Sequence, residues 1–367
     1  MKMNKIAFLA SLFCLTLTAC NGGGGSNNNS QPSSEPESSS AGPVVPDNAV
    51  NVFVLSGQSN MEGNTSFSSG GTDLVAQAFQ QLGLSDPETC TGEGMSEVLT
   101  STYCAGYGQL DKNNLHNNRS VNATNTEDQI MGKFVPTKTG LGSGTSKMGP
   151  ELGAAYILRN YATAEKPIFF IKMASNGSGF AQSGTDYNWP VMKEDGTFPE
   201  VNMYHTFAKP FIENNLQLIK DMGFEPIIRA WMWHQGESDS ASEKIPVYSE
   251  RLGNMLDLFR GDFGEYALYG DANNIAFIDG MIYQGSGTAW GAQTSVQMNE
   301  GKQRFADADP SHYIVDIYAN EEAIPENELK PGNPGGDSMH YNAISCLRLG
   351  MAYGRIISEN GLLDFYK

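Results

Sequence analysis

Apolar and polar positions form a repeating pattern of short apolar runs and longer amphipathic segments along most of the chain. Apolar and β-branched runs of strand length lie at residues 52–55, 167–173, 226–233, 275–278 and 312–317. Apolar residues recur at helical spacing at residues 150–161, 204–222, 247–259, 294–306 and 343–359. Strands that alternate with helices predict an α/β fold of three layers, αβα, with a central and mostly parallel sheet. Such sheets bind ligands beyond the carboxyl ends of their strands.

The N-terminal residues do not share this pattern and predict an exported protein. Two lysines precede an apolar run at 6–17, which is shorter than the ~20 residues that a membrane-spanning helix needs. The sequence LTAC at 17–20 resembles the lipobox of bacterial lipoproteins. Residues 1–19 therefore predict a lipoprotein signal peptide, and Cys20 a lipid anchor; an ordinary secretory signal is the alternative. Asn21 after the cysteine favours the outer membrane or the cell surface.

A flexible tether and one large domain are predicted to follow. Residues 20–47 consist mainly of Gly, Asn, Ser, Pro and Glu, with too few apolar side chains to offset the entropy of ordering them. Residues 48–367 predict a single domain with long insertions. Residues 87–146, rich in Asn, Thr and Gly, look like one such insertion. We expect it to rim the ligand-binding cleft, with a surface loop of no function as the alternative.

Charge and cysteine content narrow the possible partners. The formal net charge of -18 argues against nucleic-acid binding and, more weakly, against strongly anionic polymers. Cys90 and Cys104 bracket a short, loop-like segment, which in an oxidising compartment predicts a disulfide; two free thiols are the alternative. Cys346 lies in an apolar helical pattern and is expected to be a buried hydrophobic residue. The chain has no CxxC pair and no His-rich cluster, so neither a metal site nor a cofactor is predicted.

Clusters of polar residues lie where predicted elements end. The segment 56–63 follows the first strand and can present the hydroxyl and the backbone N–H of Ser59 at the sheet edge. The segment 231–239 also continues an apolar strand, and its polar side chains need partners where they are buried. Asp337 precedes His340 by three residues, so its carboxylate can hold one ring nitrogen while the other faces a nucleophile.

These clusters resemble the three sequence blocks of a known hydrolase group. GQSNM at 57–61, WHQGESD at 233–239 and DSMH at 337–340 look like those of the SGNH hydrolases, in the same order. The group includes sialate O-acetylesterases and the acetylxylan esterases of carbohydrate esterase family six. The resemblance extends from Val50 to the C-terminus except over residues 87–146. It implies a flavodoxin-like SGNH-hydrolase fold and a serine esterase that removes acetyl groups from carbohydrate.

The resemblance also implies the catalytic triad and its support. Ser59 is the implied nucleophile, His340 the general base and then acid, and Asp337 the residue that orients His340. A serine hydroxyl is a poor nucleophile until a base removes its proton, which a neutral imidazole can do near neutral pH. Gln58, Asn60 and Glu237 are expected to support these groups, with a direct catalytic role of Glu237 as the alternative.

The oxyanion hole is implied in the same way. Its donors are the backbone N–H groups of Ser59 and Gly177 and the side-chain amide of Gln235. Asn176 stands where the family has a glycine, so the second N–H could belong to Asn176 or Gly177.

Other conspicuous residues are expected to be structural or peripheral. His234 neighbours Gln235, yet strand alternation points it to the opposite side, which favours a structural role. His312 follows Asp309 at the spacing of the triad pair, but it opens a predicted strand and so lies at the other end of the sheet. Trp189 and Trp290, both in predicted loops, are candidates for contact with sugar.

The predicted substrate is an acetylated carbohydrate, of acetylxylan type or, alternatively, a sialic acid. The acidic chain favours a neutral glycan. A lipase or phospholipase of the same fold would need apolar loops, whereas the loops here are polar. A non-catalytic carbohydrate-binding lipoprotein is the remaining alternative, and the intact set of Ser59, Gln235, Asp337 and His340 argues against it.

Overall fold

The computed structural model describes residues 44–103, 133–181, 187–241, 243–284, 292–317 and 339–365. The predicted signal peptide, Cys20 and the predicted tether up to residue 43 lie outside these ranges, as do Cys104, Trp290 and Asp337. Residues 44–47 of the predicted tether are described, and Val45 is buried in a small core with Ala49, Ile227 and Leu268. Among the described helices, none combines the length and apolar character needed to cross a bilayer.

Among the described residues, seven strands form a sheet at the centre of the fold. Its strands, in chain order, are β1 (Ala49–Gly57), β2 (Met95–Tyr103), β3 (Val135–Thr137), β4 (Ile168–Ala174), β5 (Glu225–His234), β6 (Ala276–Gly280) and β7 (His312–Val315). They lie in the order β7-β6-β5-β1-β4-β2-β3, and every neighbouring pair is parallel except β2 and β3. The prediction of a mostly parallel sheet is therefore confirmed.

Helices cover both faces of this sheet. They are α1 (Ser59–Glu62), α2 (Leu74–Leu82), α3 (Glu88–Thr91), α4 (Glu151–Leu158), α5 (Lys209–Asp221), α6 (Ile245–Phe263), α7 (Ala292–Asp307) and α8 (Ala343–Glu359). Side chains of α2, α4 and α8 form one core with Phe53 and Leu55 of β1. Side chains of α5, α6 and α7 form the other core with Val52 and Val54. Successive residues of β1 thus enter opposite cores, which explains why its sequence is apolar throughout.

Part of the predicted insertion belongs to the sheet. Strands β2 and β3 both lie within residues 87–146. Strand β2 pairs with β4, and β3 pairs with the other side of β2 as the antiparallel edge strand of the sheet. The sequence pattern missed β2 because its second half carries hydroxyl side chains instead of aliphatic ones. These residues are nevertheless buried, and the Thr100 and Thr137 hydroxyl oxygens lie 2.7 Å apart between the two strands. A hydroxyl pair thus takes the place of the apolar contact that usually marks a buried strand.

The predicted disulfide between Cys90 and Cys104 is not found, because Cys90 is a free, buried thiol. Burial raises the pKa of this thiol to about 11. Between the two cysteines the chain runs through the nine residues of β2. At ~3.3 Å per residue such a strand is about 30 Å long, whereas the Cα atoms of a disulfide lie about 4.4–6.8 Å apart. What looked like a short loop is an extended strand.

Helices α4 and α8 approach each other closely through two glycines. A Cβ atom on Gly153 would overlap the carbonyl oxygen of Leu347, and one on Gly350 would overlap that of Pro150. The absence of side chains at these positions lets the two helices pack backbone to backbone beneath the sheet.

We expect Gly350→Ala to lower the free energy of unfolding by about 1–3 kcal/mol, because the added methyl group forces α4 and α8 apart. In a helix with free space around the glycine, the same change would raise the free energy of unfolding by about 1 kcal/mol, because alanine has the higher helix propensity. Gly261→Ala in α6 is the matched control, since a Cβ atom there meets nothing within 4 Å. Urea unfolding measures both variants, and a stabilised Gly350→Ala would contradict the close packing.

Candidate active site

The turns after β1, β4 and β5 meet at one edge of the sheet, because β1 lies between β4 and β5. Gly57 at the end of β1 pairs with Ala174 at the end of β4 and with His234 at the end of β5. The turns that follow these three strands therefore lie side by side, as the carboxyl ends of parallel strands must.

The turn after β1 positions Ser59. Gly57 has a φ of 143°, and a Cβ atom there would overlap the carbonyl oxygen of His234, so only glycine fits. The Gln58 N–H donates to that same carbonyl oxygen at 3.0 Å. Ser59 then begins α1, and its backbone N–H donates to no other described residue. Both the hydroxyl and the N–H of Ser59 are thus available at the sheet edge.

The turn after β4 is fixed to the end of β1. The Ser175 N–H donates to the carbonyl oxygen of Gly57 at 3.3 Å. The Ser178 hydroxyl oxygen lies 2.8 Å from the Ser175 carbonyl oxygen and 3.2 Å from that of Gly57. Gly177 adopts a φ of 72°, and neither its N–H nor that of Asn176 donates to another described residue. Either N–H can therefore serve a ligand, so both candidates for the second oxyanion donor stay open.

A cleft of about 410 Å³ opens above these turns. Its walls include Ser59, His340, Gln58, Glu237, Asn176 and Gly177. Ser59 and His340, from distant parts of the sequence, thus face one cavity, as nucleophile and base must. Asp337, the predicted third member of the triad, lies outside the described residues.

The side-chain amide of Gln235 does not face this cleft. Gln235 is fully buried, and its Nε2 lies within hydrogen-bonding distance of Asp239 Oδ2 at 2.7 Å, Gln58 Oε1 at 3.2 Å and the Ser178 carbonyl oxygen at 3.3 Å. An amide has only two hydrogens, and three acceptors within the protein compete for them. The structure therefore gives Gln235 a place beneath the cleft, where it holds Gln58 and Asp239, instead of the predicted place facing an oxyanion.

Gln58 is held in one orientation by its neighbours. Its Oε1 accepts from the backbone N–H of Ser238 at 3.1 Å and of Gly236 at 3.5 Å, besides the amide of Gln235. Backbone N–H groups can only donate, so the oxygen of this carboxamide is identified without ambiguity.

Glu237 places a buried negative charge in the cleft wall. Its Oε1 accepts from Asn60 Nδ2 at 2.8 Å and lies 3.6 Å from His234 Nε2. Burial alone would raise the pKa of Glu237, but contacts with His234 and Asn60 outweigh it and hold that pKa below its ordinary value. The carboxylate is therefore ionised at neutral pH. His234 itself is fully buried and does not line the cleft.

Trp189, a candidate for sugar contact, and His312, which was expected to be structural, both lie away from the cleft. Trp189 is fully buried, packs against Trp233 and donates its indole N–H to the Ser178 hydroxyl at 3.1 Å, so it cannot contact sugar. His312 stacks on Phe305 at the start of β7 and serves the fold.

Sequence reasoning missed a buried ion pair next to the end of α1. Lys172 Nζ lies 2.8 Å from Glu151 Oε2, and both side chains are fully buried. Lys172 also donates to the carbonyl oxygen of Glu62, the last residue of α1, at 3.1 Å. A lysine in the otherwise apolar strand IFFIKMA was the available signal, because a buried lysine requires a partner.

Comparison with known proteins places these features in context. The family model described as carbohydrate esterase, sialic acid-specific acetylesterase matches residues 49–359. A solved structure from Arabidopsis thaliana is similar with a TM-score of 0.50 and 15% identity, over 85% of this chain and 99% of that one. The structure of NanS gives a TM-score of 0.48 and 14% identity, over 88% and 99% of the two chains.

A carbohydrate acetylesterase from Xanthomonas citri gives a TM-score of 0.45 and 15% identity, over 84% of this chain and 56% of that one. No curated protein matches the chain. At 15% identity the Arabidopsis thaliana structure supports the fold alone, and the family match carries the functional information.

Proposed function

The chain belongs to the sialic acid-specific acetylesterase family of carbohydrate esterases, which are carboxylic ester hydrolases, and we propose that it removes acetyl groups from carbohydrate through Ser59. The observation that supports this mechanism most directly is the cleft that Ser59 and His340 share. Asp337, three residues before His340, completes the proposed triad.

The proposed reaction has two steps. His340 takes the proton of the Ser59 hydroxyl while Oγ attacks the acetyl carbonyl carbon, and the tetrahedral intermediate expels the sugar oxygen, which receives that proton. Water then attacks the acetyl-enzyme and gives one proton to His340. Collapse of the second intermediate releases acetic acid, which carries the second proton of the water and ionises to acetate in solution, and His340 returns its proton to Ser59.

The oxyanion of each intermediate needs donors that are in place beforehand. We assign this role to the Ser59 N–H and to the N–H of Gly177 or Asn176, since none of them donates to another described residue. Loss of one such donor costs on the order of 3 kcal/mol in the transition state. Gln235 supports the hole indirectly in this proposal, through its contacts with Gln58 and the Ser178 carbonyl oxygen.

A neutral glycan is the substrate class that we favour. The ionised Glu237 carboxylate lies in the cleft wall, and the whole chain carries a formal charge of -18. Both would repel the carboxylate of a sialic acid. The second candidate is an O-acetylated sialic acid, which is favoured by the description of the family itself.

Acetate release from a substrate panel tests this proposal. The panel contains acetylated xylan, other neutral acetylated glycans and O-acetylated sialic acid, and each is assayed with the wild type and with Ser59→Ala. We expect serine-dependent release that is fastest from a neutral glycan. Faster release from sialic acid would replace the favoured substrate with the second candidate. Cleavage of aryl acetate without release from any glycan would refute the carbohydrate assignment.

A further inference from the structure

One side chain connects the three polar clusters of the site. Asn60 follows Ser59 in α1 and is almost fully buried. Its Oδ1 accepts from the backbone N–H of Tyr341 at 3.2 Å, and its Nδ2 donates to Glu237 Oε1 at 2.8 Å. Tyr341 is the residue after His340, so Asn60 joins the segment of the nucleophile to the segment of the base.

The two hydrogen bonds define the orientation of the Asn60 carboxamide. A backbone N–H can only donate, so the atom that faces Tyr341 is the oxygen. The nitrogen then faces Glu237, an ionised carboxylate, which can only accept. An asparagine side chain meets both requirements at once. Aspartate could accept from Tyr341 but would repel Glu237, and an aliphatic residue could do neither.

The peptide groups around Tyr341 are held from both sides by the segment that carries Ser59. The Tyr341 N–H donates to Asn60, and the Tyr341 carbonyl oxygen accepts from the Thr65 hydroxyl at 2.9 Å. Asn60 and Thr65 belong to the same stretch of chain as Ser59, whereas Tyr341 lies 281 residues beyond Asn60. The separation between Ser59 and His340 therefore depends on these side-chain contacts.

Glu237 fixes the other end of the Asn60 side chain. It follows β5 in a short helical turn, and its carboxylate is buried beside His234. A charged acceptor forms a stronger hydrogen bond than a neutral one, so the amide of Asn60 has one preferred direction. This direction points its oxygen at Tyr341.

We propose that Asn60 is a positioning residue, which sets the geometry between the Ser59 hydroxyl and the His340 ring by binding the Tyr341 N–H, and that Glu237 acts through it. The inference rests on the proposed function, because it assumes that Ser59 and His340 react together. A misplacement of reacting groups by about 1 Å can cost on the order of 100-fold in rate.

An exchange of the two polar groups tests the proposal. In Asn60→Asp, two carboxylates face each other, and in Glu237→Gln, the amide of Asn60 loses its charged acceptor. We expect Asn60→Asp to lower kcat for aryl acetate about 10- to 100-fold and Glu237→Gln to lower it less, with KM within about twofold of wild type. The double variant restores the pair with reversed polarity, since the new carboxylate at position 60 accepts from Tyr341 and from the new amide. We expect it to recover most of kcat.

Asn51→Asp is the matched control, because Asn51 lies at the opposite end of β1 and donates to the Leu363 carbonyl oxygen at 3.1 Å. It is expected to affect stability but not kcat, and all variants are assayed well below their unfolding temperatures. A double variant that is no more active than Asn60→Asp would overturn the inference, and so would a loss confined to KM. Failure of the proposed function gives a different result, namely activity that survives Ser59→Ala.

Discussion

Replacing Ser59 with alanine is expected to lower kcat by a factor on the order of 10⁴ to 10⁶ while leaving the fold intact. The hydroxyl oxygen is the atom that forms the acetyl-enzyme, so no neighbouring group can substitute for it in the two-step reaction. What activity remains would come from binding and from the N–H groups around the cleft, which can still stabilise direct attack by water. Initial rates of aryl acetate hydrolysis measure the loss, and circular dichroism checks the fold.

Ser56→Ala is the matched control for this experiment. Ser56 lies in β1, three residues before Ser59, and its buried hydroxyl has no hydrogen-bond partner among the described residues. Its removal is therefore expected to leave kcat within about twofold of wild type, because it breaks no hydrogen bond. Equal activity of Ser59→Ala and Ser56→Ala would refute the proposed nucleophile.

Lys172→Met is expected to lower the free energy of unfolding by about 3–5 kcal/mol, because it leaves the buried Glu151 carboxylate without its partner. The change also removes the donor to the Glu62 carbonyl oxygen at the end of α1. Since α1 begins with Ser59, we expect kcat to fall as well. Urea unfolding at neutral pH measures the stability.

Two further variants distinguish the effect of breaking the buried ion pair from the effect of removing any lysine. Lys220→Met removes a partly exposed pair with Glu225, 3.9 Å away, and should change the free energy of unfolding by no more than about 1 kcal/mol. Combining Lys172→Met with Glu151→Leu removes both buried charges and should recover much of the lost stability. If Lys172→Met lowered the free energy of unfolding by less than about 1 kcal/mol, Lys172 would not be needed to stabilise the buried Glu151 carboxylate.

Much of the fold could be predicted from the spacing of apolar residues. The five predicted strand runs overlap β1, β4, β5, β6 and β7, and the predicted helical segments overlap α4 to α8. Strand β2 was missed because buried hydroxyl residues stand where apolar side chains are usually found, and β3 was missed because it has only three residues. The disulfide prediction failed for the same reason, since it treated the segment of β2 as a loop.

The site could be predicted in part. Ser59, His340 and Gly177 line one cleft, Gln58 accepts from the Ser238 N–H, and Asn60 donates to Glu237, while the catalytic roles of these residues stay predictions. The predicted positions of the Gln235 and Trp189 side chains were wrong, because a residue type does not reveal which way its side chain points after a strand ends. Gln235 points into the interior, and Trp189 belongs to the core.

The sequence by itself determined the layered α/β fold and the candidate reacting groups. Each can be predicted from short stretches of sequence. The spacing of apolar residues indicates the fold, and short motifs at strand ends indicate the chemistry. Only the tertiary structure decided how the polar groups pair beneath the cleft, as with Lys172 and Glu151 or with Asn60, Glu237 and Tyr341. These partners are far apart in the chain, so their hydrogen bonds depend on the placement of whole elements, which no local pattern encodes.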